Sequence, residues 1–448
     1  MPDPIDSYDY VIVGAGSAGC VLAARLSEDP ATRVLLLEAG PPDRSPWIHL
    51  PIGYGKTMWS PVYNWKFETD PDPNMNGRRI YWPRGRTLGG SSSINGLIYV
   101  RGQREDYDHW AALGNAGWSY EEVLPYFVKS EGNARGAFPG HGADGPLKVS
   151  DIGAQHPLIE AFIAGAGQVG VPRTEDFNGR DQEGAGYYQL TTHKGLRCST
   201  AKAYLGEARR RPNLRIETDA MATQLVVRGR RATGIRYRQG GQERQAQARA
   251  EVILSAGAIQ SPQLLQLSGI GPAALSQSLG IPVVHDLPGV GENLQDHLQI
   301  RLGYECSQPI TTNDQLNSWV GRTKLGLEWL LFRSGALAVG INQGGCLCVR
   351  SGTSRAGPWP PRPTSSSTSP RCRPTWQAAR SIRTRASPCR SASCGPSHAG
   401  SCASARAMPS SRLPSSPTTW PPTWTAAPTW RPCARHAPLP THRPCAPL

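Results

Sequence analysis

The chain opens with a pattern that few folds can satisfy. A β-branched run, Tyr10–Val13, stops at Gly14-Ala15-Gly16-Ser17-Ala18-Gly19, and helical apolar spacing follows over Ser17–Ser27. A second buried run, Arg33–Leu37, ends at Glu38. Strand, glycine turn, helix and strand make the opening of a βαβ unit. The first glycine allows a tight turn and the second lets backbone approach a pyrophosphate. The third lets the helix pack on the strand, while the helix N-terminus attracts phosphate charge. Glu38 lies 19 residues past Gly19, where a carboxylate can accept from ribose hydroxyls. These residues imply a dinucleotide without choosing between FAD and NAD.

A second dense run of small residues, Gly85-Arg86-Thr87-Leu88-Gly89-Gly90-Ser91-Ser92-Ser93-Ile94-Asn95-Gly96, permits close approach of backbone to a flat or charged ligand. Residues 41–82, rich in Pro, Trp and Asn, read as a long excursion over the surface or toward a partner. Asp106–Ser130 reads as helical. Leu214–Glu217, Thr223–Val227, Gly234–Arg238 and Ala248–Leu254 read together as a β-meander. Ser261–Leu267 reads as a helix, Gly269–Gly271 as a turn and 316–333 as an amphipathic helix, after which organised patterning is expected to end.

The last 98 residues differ in kind. Residues 1–350 hold 35 Lys and Arg against 34 Asp and Glu, whereas 351–448 hold 13 Arg with no Lys and no acidic residue. The net charge of +14 is therefore a property of the tail. Its Arg residues are scattered among Pro and Ser with no helical stripe, so no nucleic-acid partner is expected. The tail also has 19 Pro, 17 Ser and no Val, Phe or Tyr, too little apolar area to offset the entropy of ordering, and disorder is expected. Five Trp and six Cys are unusual for a linker. Codons can be chosen for Pro363–Ser369 (CCG ACC TCC AGC TCT ACT TCN) that, read two bases later, give Asp-Leu-Gln-Leu-Tyr-Phe. At the same offset Ser416–Thr425 gives Pro-Asn-Tyr-Leu-Ala-Thr-Asp-Leu-Asp. Two protein-like readings at one offset point to a frameshift near residue 352.

The body carries five cysteines, Cys20, Cys198, Cys306, Cys346 and Cys348. The number is odd, and Cys346 and Cys348 lack metal-ligand spacing, so no metal is expected and a reducing, cytoplasmic setting fits. The acidic start MPDPIDSYDY leads into a strand rather than a signal peptide, and no apolar stretch approaches the ~20 residues that span a bilayer.

The stretch PRGRTLGGSSSINGLIYVRGQREDYDHW resembles the first signature of the glucose–methanol–choline flavoenzymes. GAIQSPQLLQLSGIG, Gly257 to Gly271, resembles the second, and LPGVGENLQDH, Leu287 to His297, resembles the run that follows it. The similarity is continuous from about residue 7 to 350 and is strongest toward the choline and aliphatic alcohol dehydrogenases. It implies an α/β (α+β) fold: a Rossmann-type FAD-binding domain with a parallel sheet, plus an incomplete antiparallel-sheet substrate domain. The expected division is 1–155 with 215–300 for FAD, 156–214 with 301–350 for substrate, and 351–448 as the out-of-frame tail. By the same resemblance Gly14, Ala15, Gly16, Gly19, Glu38 and Ala39 would hold the ADP portion of FAD. Thr87, Leu88, Gly89, Gly90, Asn95, Gly96, Leu97 and Ile98 would lie against the ribityl–pyrophosphate and isoalloxazine. Ala222 would meet the adenine, and Asn293, Asp296 and His297 would approach the flavin from the other side. His297 reads as a helix-end hydrogen bonder rather than a base, and the Glu105 and Asp106 carboxylates as a solvated helix start.

Family members pass hydride from a primary alcohol to flavin N5 while a histidine takes the hydroxyl proton. That histidine belongs to a C-terminal His-Pro motif, with a second His or Asn some forty residues later. The tail's His398, His436 and His442 have other contexts, so no catalytic residue is assigned and little turnover is expected. The implied partners are a small alcohol, choline or an alkanol, and quinone, another carrier or oxygen as electron acceptor, with peripheral contact to an inner membrane as a further expectation. The rival readings are a non-catalytic flavin-binding protein with a partner-recruiting tail, and an NAD-dependent dehydrogenase, which the GRTLGGSSSIN stretch disfavours.

Overall fold

The computed structural model describes residues 6–349 except 298, 300, 301, 305 and 341, together with 363–364, 411–412 and 429–432. Strand β1 (Asp6–Val13), helix α1 (Ser17–Leu26) and strand β2 (Val34–Leu37) form the expected opening. They belong to a six-stranded sheet with β3 (Leu214–Glu217), β4 (Ala220–Arg228), β5 (Arg231–Gln239) and β6 (Gln242–Leu254), in the order β3-β2-β1-β6-β5-β4. β3, β2, β1 and β6 run parallel, and β6, β5 and β4 antiparallel. The fold is therefore mixed α/β, as the sequence implies.

β6 joins the two halves. Its Gln242–Gln247 pair antiparallel with β5, and from Ala246 onward it pairs parallel with β1 up to Val13 against Leu254. The meander is confined to β4, β5 and β6. Leu214–Glu217, expected within it, instead extends the parallel edge beside β2. All four residues of β2 are buried, and such a strand needs a neighbour on each side and cover on each face. On one face Ile12, Val34, Leu36 and Leu214 pack against Cys20, Ala23 and Ala24 of α1 and against Tyr204 and Leu205. On the other, Val11, Val13, Leu35 and Leu37 pack with Ile235, Tyr237, Ala246 and Leu264, the last from helix α2 (Gly257–Leu267).

Two further expectations change. Asp106–Ser130 is two helices, Arg104–Ala112 and Tyr120–Ser130, parted where Gly114 and Gly117 take positive φ. Order does not end at 333: Gly344–Val349 is a strand antiparallel to Gly184–Tyr187, and the helix Pro157–Gln168 packs Ile159, Ile163 and Ala166 against that pair. The anticipated long helix is Trp319–Phe332, preceded by a separate turn of helix, Thr312–Asn317. Of the tail, Pro363–Thr364 pairs with the Gly344–Val349 strand, and Thr429–Pro432 pairs with Ser411–Arg412 and with Phe67–Thr69. The disorder expected elsewhere in 351–448 concerns residues outside the described ones.

Candidate functional site

The site forms where three parallel strands end in register. Val13 pairs with both Leu37 and Leu254, so the turns after β1, β2 and β6 open into one crevice at the carboxyl edge of the sheet, the usual ligand position in such folds. Gly14 donates its N–H to Leu37 at 2.8 Å, and Ser255 donates its own to Val13 at 2.8 Å. The Ser255 hydroxyl donates to the Gly14 carbonyl at 2.8 Å.

Gly14 and Gly19 serve the turn and the helix packing that the sequence suggests. Gly14 has φ +98°, and a Cβ there would fall 2.6 Å from the Ser255 carbonyl oxygen. At Gly19 a Cβ would come within 1.9 Å of the Gly14 carbonyl oxygen, so the third glycine serves helix–turn packing. At Gly16 a Cβ would meet only the Ser255 carbonyl, at 3.9 Å. Among the described residues no contact therefore demands glycine at 16, the N-cap of α1. That turn has neither a side-chain cap nor an acidic residue, leaving its N–H groups and dipole open to an anion.

The 85–90 segment closes over this turn. Gly89 donates to the Ala15 carbonyl at 2.8 Å, and Gly90 passes so near that a Cβ would stand 2.7 Å from Gly16 Cα. Thr87, buried, donates its hydroxyl to the Pro41 carbonyl at 2.7 Å, and Leu88 packs into the α1 core. Arg86 Nε is buried without a partner among the described residues, a donor held beside the crevice.

Glu38 is 5% exposed. Its two oxygens accept from the N–H of Ala15 at 3.0 Å and of Gly40 at 2.9 Å. Burial pushes its carboxyl up to about 7, against the pull of those two N–H groups. Glu38 thus braces the glycine turn, and each oxygen keeps a lone pair for a further donor. Half-buried Ala39 lies between. Ala220 donates to the Glu38 carbonyl at 2.9 Å, which brings the start of β4, and half-buried Ala222 within it, alongside.

Asn95, Gly96, Leu97 and Ile98 form the next wall. Asn95 Oδ1 accepts from the Leu97 N–H at 3.2 Å and from Arg197 at 2.7 Å. Leu97 is fully buried with φ +71°, a backbone state that costs about 1–3 kcal/mol and concentrates at functional sites. Ile98 pairs with Leu190. Asn342 Nδ2 lies 3.5 Å from where a Gly96 Cβ would stand, and Asn342 Oδ1 and Gln343 Oε1 are buried with no partner among the described residues. These unpaired acceptors, the buried Arg86 donor and the glycine-lined space at Gly16 fit a large polar ligand.

Asn293, Asp296 and His297 stand on a separate segment, anchored through Leu294 on Phe67 and Ile259. Asn293 is exposed with φ +59°, and Asp296 lies near the Arg84 guanidinium. His297 is exposed in irregular backbone rather than at a helix end, its N–H donating to Asp296 at 2.9 Å. The sole His-Pro pair of the sequence, His156–Pro157, is a helix cap: His156 Nδ1 accepts from the Leu158 N–H at 3.2 Å. Asp106 caps the Arg104–Ala112 helix, accepting from the Gln103 N–H at 3.2 Å.

Sequence reading missed two features. Arg197, buried, ties the 92–98 loop to the chain behind it. A buried charged network also joins Arg101, Glu131, His141 and Asp176. Arg101 Nη2 donates to Glu131 at 2.5 Å, and His141 donates to Glu131 at 3.0 Å and to Asp176 at 3.1 Å. Burial alone would lower the His141 pKa, but the two carboxylates override it and raise it to about 9. Their partners lie 10 to 35 residues apart, and no local motif marks them.

The family model for GMC oxidoreductases matches residues 8–299. This chain belongs to the GMC oxidoreductase family. Human mitochondrial choline dehydrogenase is 51% identical over 332 residues, covering 72% of this chain and 56% of the human protein. An oxygen-dependent choline dehydrogenase of Photobacterium profundum is 46% identical over 357 residues, covering 79% and 62%. Among solved structures, an FAD-dependent oxidoreductase from Chaetomium thermophilum superposes with a TM-score of 0.71 at 32% identity, covering 77% of this chain and 62% of that one. This GMC oxidoreductase chain thus spans roughly 56–62% of the relatives it matches. Among the described residues, no helix is long and apolar enough to cross a membrane.

Proposed function

We propose that the chain is the FAD-binding body of a flavin-dependent dehydrogenase of primary alcohols, choline or an aliphatic alkanol. The observation that carries this reading is Gly16: the protein leaves its Cβ position free, at an uncapped helix N-terminus and beside the half-occupied Glu38 carboxylate. Gly14 to Gly19 with Glu38 and Ala39 would hold the ADP half, Thr87 to Gly90 the pyrophosphate side, Asn95 to Ile98 the isoalloxazine and Ala222 the adenine, with Asn293 and Asp296 on the opposite side. When bound, FAD supplies a hydride acceptor for the carbinol carbon. The chain's own residues bind and orient it. Residues 1–155 with 215–300 form the cofactor domain, and 156–214 with 301–350 a partial substrate domain.

Electrons leave to quinone, another carrier or oxygen. The setting is cytoplasmic, with peripheral membrane contact through the exposed Trp319, Val320, Leu331 and Phe332. The chain turns over little alcohol. Its sole His-Pro histidine is a helix cap, His141 is locked between carboxylates, and residues 351–448 read as frameshifted.

Purified protein should retain a yellow chromophore that is FAD on release, and its bleaching by alcohol without NAD should be slow or absent. A colourless protein that takes up no added FAD would defeat the cofactor reading. Resequencing the coding DNA around codon 352 tests the tail. An in-frame tail favours a non-catalytic flavin-binding protein whose Arg/Pro/Ser tail recruits a partner.

A further inference from the structure

Arg197 is a buried cation whose hydrogen bonds among the described residues go only to neutral groups. Nε donates to the Ile48 carbonyl at 2.9 Å, Nη1 to the Ser92 carbonyl at 3.1 Å and to Asn95 Oδ1 at 2.7 Å, and Nη2 to the Asn95 carbonyl at 2.9 Å. No carboxylate pairs with it among the described residues, whereas Arg101, also buried, has Glu131. Burial lowers its pKa to about 9, which leaves it charged at neutral pH. Desolvating a guanidinium is costly, and an uncompensated one is retained only where neighbouring dipoles or a ligand offset the charge.

The guanidinium also sits in a rigid mount. Thr200 donates its N–H to Ser92 Oγ at 3.0 Å, and the two hydroxyls lie 2.9 Å apart. Ala201 and Leu205 pack into the α1 core. The 197–205 segment therefore backs the loop at Gly89, Ser92 and Asn95. Replacing Arg197 removes both a fork-shaped clamp and a charge, and the two losses separate chemically: Lys keeps the charge and loses the fork, while Gln loses the charge.

We propose that Arg197 is a positioning residue for the flavin, fixing the 92–98 loop from behind and setting an unpaired positive charge behind the wall assigned to the isoalloxazine. The inference rests on the FAD reading above. A fixed cation there favours the negative charge that two-electron reduction adds to the ring system, so the protein raises the flavin's reduction potential through a residue that need not touch it.

The test compares wild type, Arg197→Lys and Arg197→Gln, each loaded with FAD, by reductive titration against a reference dye. The Gln variant should lower the reduction equilibrium at least tenfold, equivalent to about 30 mV for a two-electron couple. The Lys variant should stay within threefold of wild type. A Gln variant that keeps FAD at the wild-type potential overturns the electrostatic role. If Gln does not fold, a Lys variant with a tenfold lower equilibrium also overturns it, since the charge is still present. If wild type takes up no FAD, the cofactor reading fails separately. Hydrogen exchange on the FAD-free proteins then reads the clamp: faster exchange confined to 92–98 in Arg197→Lys supports it, and unchanged exchange refutes it.

Discussion

Replacing Gly16 and Gly19 by alanine, one at a time, separates a glycine kept for a ligand from a glycine kept for the fold. Gly16 has φ −74° and ψ −162°, extended backbone that any residue adopts, and its added Cβ would meet only the Ser255 carbonyl at 3.9 Å. The folded state loses nothing, and the unfolded chain loses freedom worth roughly 0.4–1 kcal/mol in favour of the variant. The same methyl occupies the space at the α1 N-terminus. Displacing a pyrophosphate there forfeits two charge-assisted hydrogen bonds of about 1.5–3 kcal/mol each, a loss of roughly 100-fold or more in affinity. Gly19→Ala behaves oppositely. Its Cβ would sit 1.9 Å from the Gly14 carbonyl oxygen and 2.7 Å from Ser255 Oγ, so helix and turn must part, at about 1–3 kcal/mol or more. The FAD-free Gly19→Ala protein should melt several degrees lower, at ~2–4 °C per kcal/mol. Thermal melts of FAD-free protein and FAD titrations followed by flavin fluorescence give both readings. A Gly16→Ala protein that binds FAD within threefold of wild type refutes the reasoning.

Three further outcomes follow from buried charges. The Glu38 carboxyl is raised from 4.5 to about 7, so the stability it confers is fullest below pH 4.5 and is lost as pH rises through 7. Relative to Glu38→Gln, wild type should lose up to ~3 kcal/mol between pH 5 and 8, and a pH-independent gap in urea melts would count against it. His141 is raised from 6.5 to about 9, so its stabilisation is present below pH 6.5 and lost as pH rises through 9. The deficit of His141→Asn should shrink by up to ~3 kcal/mol from pH 6 to 10, and an unchanged deficit would mean that His141 is neutral in the fold. Arg101→Met leaves Glu131 without its guanidinium and should cost about 3–5 kcal/mol. Adding Glu131→Gln should recover part of that loss in denaturant melts, unless the pair contributes through packing alone.

Legibility from the sequence followed the range of the interactions. The turn from Gly14 to Gly19 and the acid at Glu38 were readable because their geometry is set within one βαβ unit. The placement of Leu214–Glu217 was not: its alternation suits a meander edge or a parallel edge equally, and the decision belongs to β2, whose sequence lies far away. Arg197 is invisible for a similar reason. Its partners Ile48, Ser92 and Asn95 lie 102 to 149 residues upstream, and a lone arginine in Gly-Leu-Arg-Cys-Ser carries no periodic signal. The strained Leu97 was assigned to the site by resemblance, but its left-handed backbone could not be read from a leucine.

The parallel pairing of β1 with β6 also governs when the site can exist during synthesis. Ser255 closes onto Val13 across 242 residues, and Gly14 turns against Ser255 and Ala256. At about 5–20 residues per second, a ribosome needs on the order of 10–50 s to make the intervening chain. Over that interval β1 and β2 present an open parallel edge, and the glycine turn lacks one wall. Cofactor loading is therefore a late event in the life of the nascent chain. An early pause or a chaperone covering the first forty residues should affect flavin content more than a later one.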